Sequence, residues 1–409
     1  MAVAKKDTSL AGVLADLRAE QNSSDHMVIG SLPEFDMTVQ GYSTGNIALD
    51  WITRVGGFPY GRIVECFGPP SSGKTTAALS AMAAEQAKCI ESGEGYVMFE
   101  DFERSIDPDY CTSLGLDVGH SSFIYVKPDS FEHGANLFRK LLATGELRIA
   151  VFDSVAAMVT EKEKEADTGK ANVADRAKMM HQFLRQTKDD ADRFGTTMIF
   201  LNHTLEVVDA TPMGQKMAAR GIKRFTQPGG KALAFYASMR IEYKQVGNIR
   251  TTEMDALTNR KEDQVRSQKV QATVVKNKTG DPFGTALLRV RWGHGFSNEY
   301  SVLDILTKHS AVDLNKTGWY TFPADLSPDN KQFKCRGEDK TLSQMEDNPE
   351  WAARLSGYAQ MLLEQTGGET VDGAQYDNEG NLKVDPDDLD ALLDVDVEDI
   401  DLETGEVLV

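Results

Sequence analysis

Nine consecutive residues, Gly68-Pro69-Pro70-Ser71-Ser72-Gly73-Lys74-Thr75-Thr76, constrain this chain more than any other stretch. They fit G-x-x-x-x-G-K-[ST], a loop whose glycines let successive backbone N–H groups turn inward around a phosphate chain. Lys74 would place a cation near the β- and γ-phosphates of a nucleotide, and the Thr75 hydroxyl would hold Mg²⁺. A helix that starts here points the positive end of its dipole at the anion. The flanks agree. Arg62-Ile63-Val64-Glu65-Cys66-Phe67 reads as a short buried strand and Ala77 to Ala87 as a helix, the strand–loop–helix order that phosphate binding requires. The alternative is a glycine-rich turn that matches by accident.

Further strands follow at intervals. Tyr96-Val97-Met98-Phe99 ends in Glu100-Asp101-Phe102-Glu103. In an open α/β sheet, functional residues gather at the carboxyl ends of strands, so these acids fall beside the phosphate loop and one of them could polarise an attacking water. The run Arg148 to Phe152 stops at Asp153-Ser154, where a carboxylate would reach the Mg²⁺ held by Thr75. Thr197 to Leu201 ends at Asn202-His203, a position suited to sensing a γ-phosphate; the simpler reading of His203 is an ordinary hydrogen-bonded side chain. Strands alternating with helices predict an α/β fold with a doubly wound, mostly parallel sheet.

Two inserts break the pattern. The first, Thr160 to Asn172, is charged and runs into a helix whose Lys178, His181 and Arg185 share one face. The second, Thr204 to Pro228, is too long for a plain connector. Its Lys216, Arg220, Lys223 and Arg224 stand beside Phe225, against only Glu206 and Asp209. Cations interleaved with an aromatic suit a phosphate backbone with a base or sugar packed on the ring, the alternative being a solvated surface loop. After Gly229-Gly230 come a short helix, Lys231 to Ala237, and strands at Ser238 to Lys244, Val270 to Lys278 and Ala286 to Trp292. Lys276 and Lys278, two apart, are expected on one strand face, where they repel each other unless an anion joins them. From Tyr300 to about Gln365 the pattern turns more helical, with Asn348-Pro349-Glu350 opening an amphipathic helix.

Charge is unevenly placed. Of the net −19, the segment Glu369 to Val409 carries −14, from fifteen acidic residues and Lys383, so the rest is only mildly acidic and can hold a basic groove. The tail is expected to be disordered. Four scattered cysteines make no disulfide framework and show no metal-site spacing. No run of eighteen uncharged apolar residues occurs, so a soluble cytoplasmic protein with no membrane partner is expected. Leu10, Val13, Leu14 and Leu17 form one apolar helical stripe, to be buried on this chain or on another. The expected divisions are 1–40, an N-terminal helix and linker; 41–298, an ATPase core with inserts at about 160–172 and 204–228; 299–367, a small α+β domain; and 368–409, the tail.

Taken together the motifs resemble the RecA family of homologous recombinases. The resemblance rests on residues 68 to 76, Phe-Glu-Asp-Phe-Glu-Arg-Ser-Ile-Asp-Pro at 99–108, Val-Phe-Asp-Ser-Val-Ala-Ala at 151–157, Phe-Tyr-Ala-Ser-Met-Arg at 235–240 and Val-Val-Lys-Asn-Lys at 274–278. Gly-Trp-Tyr at 318–320 and Asp-Asn-Pro-Glu at 347–350 carry it into the C-terminal part, so it spans roughly 9–365. It implies a RecA-like P-loop ATPase that uses ATP and Mg²⁺, with Glu103 activating water and Asp153 beside the metal. Asp107 and Tyr110 would hold adenine, and Lys276 and Lys278 would reach the ATP of a neighbouring protomer. The two inserts, with Lys178, Arg185, Gly229 and Gly230, would bind DNA, and the N-terminal helix would pack on the next subunit. Expected partners are single- and double-stranded DNA, further copies of the chain in a helical filament, and single-strand-binding and loading proteins. Asn202-His203-Thr204 departs from the Asn-Gln of cellular members and is similar to bacteriophage recombinases of the UvsX type, which implies a phage-encoded chain acting in its host's cytoplasm. A ring helicase and an ATP-switched DNA adaptor are the rival readings of the same core.

Overall fold

The structure, a computed structural model, describes residues 39–165, 173–206, 225–226, 228–254 and 261–365. The N-terminal stripe, Lys216, Arg220, Lys223, Arg224 and the acidic tail lie outside the described residues, as do residues 166–172 of the first insert.

Nine strands form the central sheet. In chain order they are β1 (Ile63–Gly68), β2 (Tyr96–Asp101), β3 (Phe123–Val126), β4 (Leu147–Asp153), β5 (Thr197–His203), β6 (Met239–Met254), β7 (Lys261–Asn277), β8 (Thr285–Arg291) and β9 (Gly295–Phe296). Across the sheet the order is β9-β8-β7-β6-β1-β5-β4-β2-β3. The six strands from β6 to β3 run parallel, and β7, β8 and β9 add antiparallel to one edge. This is the doubly wound, mostly parallel sheet that the alternation of strands and helices predicts.

Buried on both faces, the inner strands split their residues by the two-residue strand period. Val64, Cys66, Val97, Phe99, Val151 and Ile199 enter one apolar cluster, capped by helix α1 (Lys74–Ser92) through Ala77, Ala81 and Met82. Met98, Ala150, Phe152, Met198 and Phe200 enter the other, under α3 (Phe131–Leu142) and α4 (Val173–Phe194). Between α1 and α3 in sequence lies the short α2 (Pro108–Ser113), and α5 (Lys231–Tyr236) precedes β6.

A third cluster gathers α6 (Asn298–Lys308), α7 (Glu338–Glu346), α8 (Pro349–Gln365) and a three-stranded antiparallel sheet. Arg289 of β8 fastens it to the main sheet, with Nη2 2.7 Å from Asp339 and Nη1 3.4 Å from Glu338, while Arg291 reaches Glu346 at 2.6 Å.

The antiparallel edge departs from the sequence reading. β6 and β7 are far longer than the expected Ser238–Lys244 and Val270–Lys278, and past Arg266 they pair, among the described residues, only with each other. The extension is polar, so no apolar alternation marks it. β7 ends at Asn277, paired with Met239, and Lys278 follows one residue beyond, its N–H donating to the Ser238 carbonyl at 2.7 Å.

Candidate nucleotide site

Four parallel strands end together. Gly68 of β1 pairs with His203 of β5, and Asp101 of β2 with Asp153 of β4, so phosphate loop, acids and imidazole share one edge. Gly68 has φ +152, and a Cβ there would lie 2.1 Å from the Tyr243 carbonyl, so only glycine lets the loop leave β1 against β6. Pro69, Pro70 and Ser71 are exposed, whereas Ser72 and Lys74 are buried. On the β7 side the Gln268 amide donates 2.5 Å to the Ser71 carbonyl and braces the loop.

Lys74 Nζ donates to the carbonyls of Gly68 (3.1 Å) and Pro69 (2.7 Å). Burial lowers its pKa to about 8, against the pull of Asp153 and Glu103. Thr75 Oγ1 donates to Asp153 Oδ2 at 3.1 Å. Burial, then the nearby Glu103, push the Asp153 carboxyl up to about 7. A buried carboxyl crowded by a second acid and paired with a hydroxyl at the mouth of a phosphate loop fits a divalent cation, whose charge would hold the carboxylate ionised.

Glu103 is held from two sides. Its Oε1 accepts a hydrogen bond from the Ser154 hydroxyl and lies 2.9 Å from His203 Nε2, while its backbone N–H donates to the Asp153 carbonyl at 3.2 Å. The loop that carries it winds around Asp101, whose carboxylate accepts from the N–H groups of Arg104, Ser105 and Ile106 and from the Tyr125 hydroxyl.

Of the residues expected at adenine, Tyr110 contacts Thr76 through their hydroxyls at 2.8 Å, and Asp107 caps α2 by accepting from the Asp109 N–H. Trp292, half exposed, stands on the β8–β9 turn; Phe296 beyond it lies against Gly73, and Gly295 against Thr76. Lys276 Nζ donates to the carbonyls of Ala234 (2.7 Å) and Phe235 (3.1 Å), and burial, then Lys278, bring its pKa down to about 8. The mutual repulsion expected of the two lysines is therefore present.

The insert flanks are ordered by local chemistry. Thr160 and Glu163 form a reciprocal capping box, each side chain accepting from the other's N–H, and Glu163 also takes 2.9 Å from Arg176 of α4. Lys178 and Arg185 are exposed on α4. Phe225-Thr226 pairs antiparallel with Leu205-Glu206 at the base of the second insert.

Sequence reasoning missed Ser154, Gln268, the part Asp101 plays in holding the Glu103 loop, and the Glu65–Asn202 contact. One signal was available: Glu65 is an acid inside an otherwise apolar strand, which requires a buried partner.

Residues 11–297 match the RecA N-terminal domain family model. The chain is 33% identical to the RecA protein of Frankia alni over 351 residues, 86% of this chain and 91% of that one. It is 33% identical to the RecA protein of a Nocardioides species over 374 residues (91% and 95%) and 33% identical to that of Corynebacterium jeikeium over 390 residues (94% and 96%). With its phosphate loop, paired acids and parallel sheet placed as described, the chain belongs to the RecA family and is a RecA-type recombinase.

Proposed function

We propose that this recombinase binds ATP in the loop at residues 68–76, polymerises on single-stranded DNA as a helical filament, pairs it with homologous duplex, and hydrolyses ATP at a rate that DNA raises. The observation that carries the reading is Glu103, fixed between Ser154 and His203 and beside the Thr75–Asp153 pair. Backbone N–H groups of the loop and Lys74 would grip the phosphates, and Thr75 and Asp153 would hold Mg²⁺, which would neutralise charge on the phosphate oxygens. Glu103 accepts the proton of the attacking water and orients it in line with the γ-phosphate. His203 exchanges its Glu103 contact for one to the γ-phosphate and so reports nucleotide state along β5. Asp107 and Tyr110 seat the adenine.

Lys276 and Lys278 serve the ATP of the adjacent protomer, which couples hydrolysis to filament geometry. The second insert, with Lys216, Arg220, Lys223, Arg224 and Phe225 between β5 and Gly229-Gly230, takes the single strand together with Lys178 and Arg185. The N-terminal helix docks on the next subunit, and single-strand-binding and loading proteins act as accessory partners in the cytoplasm. No helix of the described residues is long and apolar enough to cross a membrane. The Asn202-His203-Thr204 strand end supports a bacteriophage origin.

Negative-stain microscopy on single-stranded DNA with a slowly hydrolysed ATP analogue tests assembly. Regular helical filaments are expected from the native chain and from Glu103→Gln, whose hydrolysis should fall by about 10²–10⁴-fold, and none from Lys74→Ala. Closed rings, or full hydrolysis by Glu103→Gln, would overturn the reading.

A further inference from the structure

Glu65 lies in the middle of β1, 1% exposed, and its carboxylate accepts hydrogen bonds from outside the phosphate loop. Its two carboxylate oxygens are divided between two donors. Oε2 takes the Arg240 Nε at 2.7 Å, and Oε1 takes the Asn202 Nδ2 at 2.9 Å. Arg240 is steadied in turn by lying 4.8 Å over the Phe67 ring.

Asn202 is the residue before His203 at the end of β5. Its carboxamide is fully committed: Oδ1 accepts the His203 N–H at 3.0 Å, and Nδ2 donates both to Glu65 and, at 3.0 Å, to the carbonyl of Pro228. Pro228 begins the segment that returns the chain from the second insert. That segment is pressed between two other parts of the site. A Cβ at Gly229 would lie 2.7 Å from Val155 Cγ1, just past Asp153-Ser154, and one at Gly230 would lie 3.0 Å from Ala177 on the helix that follows the first insert. With φ at +91 and +71 these two glycines let the chain turn inside that gap.

A carboxamide has a donor end and an acceptor end, and only one orientation aims the donor end at Pro228. Glu65 selects it, because an acceptor-only side chain cannot face Oδ1. We propose that Glu65 is a positioning residue that couples the nucleotide site to the second insert: it holds the Asn202 amide so that movement of the β5 end is passed to Pro228 and the DNA-facing loop. Glutamine at 65 cannot do the same, since its NH2 end would replace one of the two acceptor oxygens and set a donor against either Arg240 or Asn202. The proposal rests on the reading above, in which the insert binds DNA and DNA raises the ATPase rate.

The test uses the full-length protein, ATP and a homopolymeric single-stranded DNA. For Glu65→Gln the factor by which DNA stimulates hydrolysis should fall by about tenfold, within the range of ordinary coupling energies. Affinity for a fluorescent ADP analogue should stay within about twofold, because coupling and nucleotide binding are separate quantities. Asn202→Ala, which removes the donor without stranding Arg240, should give the same loss, and the double variant should lose no more than either single one. Stimulation that survives intact in Glu65→Gln or Asn202→Ala, or losses that multiply in the double variant, would overturn the role of Glu65 alone. A native protein whose hydrolysis ignores DNA would overturn the functional reading and this proposal with it.

Discussion

Glu100 is the least satisfied residue of the core. It is 1% exposed, neither carboxyl oxygen has a hydrogen-bond partner among the described residues, and a Cβ on Gly134 of α3 would lie 2.2 Å from its Oε1. Burial alone lifts its pKa from 4.5 to about 8. The sign of its effect on stability follows. Below its unfolded value the group is protonated in both states; between there and about 8 the unfolded chain releases a proton that the folded chain keeps, so stability falls as pH rises through this window. Glu100→Met, of similar length and never charged, should stabilise the protein on the order of 3 kcal/mol more at pH 9 than at pH 5 in denaturant titrations. Equal gains at the two pH values would refute the assignment. From sequence, Glu100 and Glu103 were two acids in one cluster, separable only by resemblance. The structure separates them by strand period: Glu100 turns into the apolar layer below α3, and Glu103 lies beyond the strand, at the phosphate loop.

At the scale of elements, β6 and β7 show how a strand can exceed its apolar signal. Their inner halves, Met239 to Tyr243 and Val270 to Val274, alternate into the core and were legible. Their outer halves, through Met254 and Lys261, satisfy each other's backbone groups and need no core, so composition does not mark them. Removing Thr251 to Gln264 and closing Arg250 onto Val265 with an Asn-Gly turn should therefore move the thermal midpoint by less than about 3 °C, a change of 1 kcal/mol or so for a domain of this size. Circular dichroism melts of the two proteins would measure it. A loss of much more than that would mean the ribbon stabilises the sheet from its tip.

For the whole molecule, charge distribution decides which partners can approach. Residues 369–409 carry −14 and the remaining residues −5, a distribution that predicts competition between this acidic segment and DNA for the proposed DNA-binding residues. Truncation after residue 368 should tighten duplex binding, most at low salt where screening is weakest. Fluorescence anisotropy of labelled duplex across a salt series would read the difference, and identical affinities at low salt would rule the competition out.

The sequence by itself determined the strand–loop–helix from Arg62 to Ala87, the acids that end β2 and β4, the order of strands and helices, and the placement of charge. Each of these depends on neighbours in the chain: a period, a fixed spacing, or a local count of charges. Tertiary structure alone decided that Ser154 and His203 would clasp Glu103, that Gln268 would brace Ser71, and that Glu65 would meet Asn202 and Arg240. Those partners lie up to 197 residues apart in the chain. They meet because sheet order sets β6 and β7 on one side of β1 and β5, β4 and β2 on the other, and hydrogen bonds to buried groups form only after that order exists.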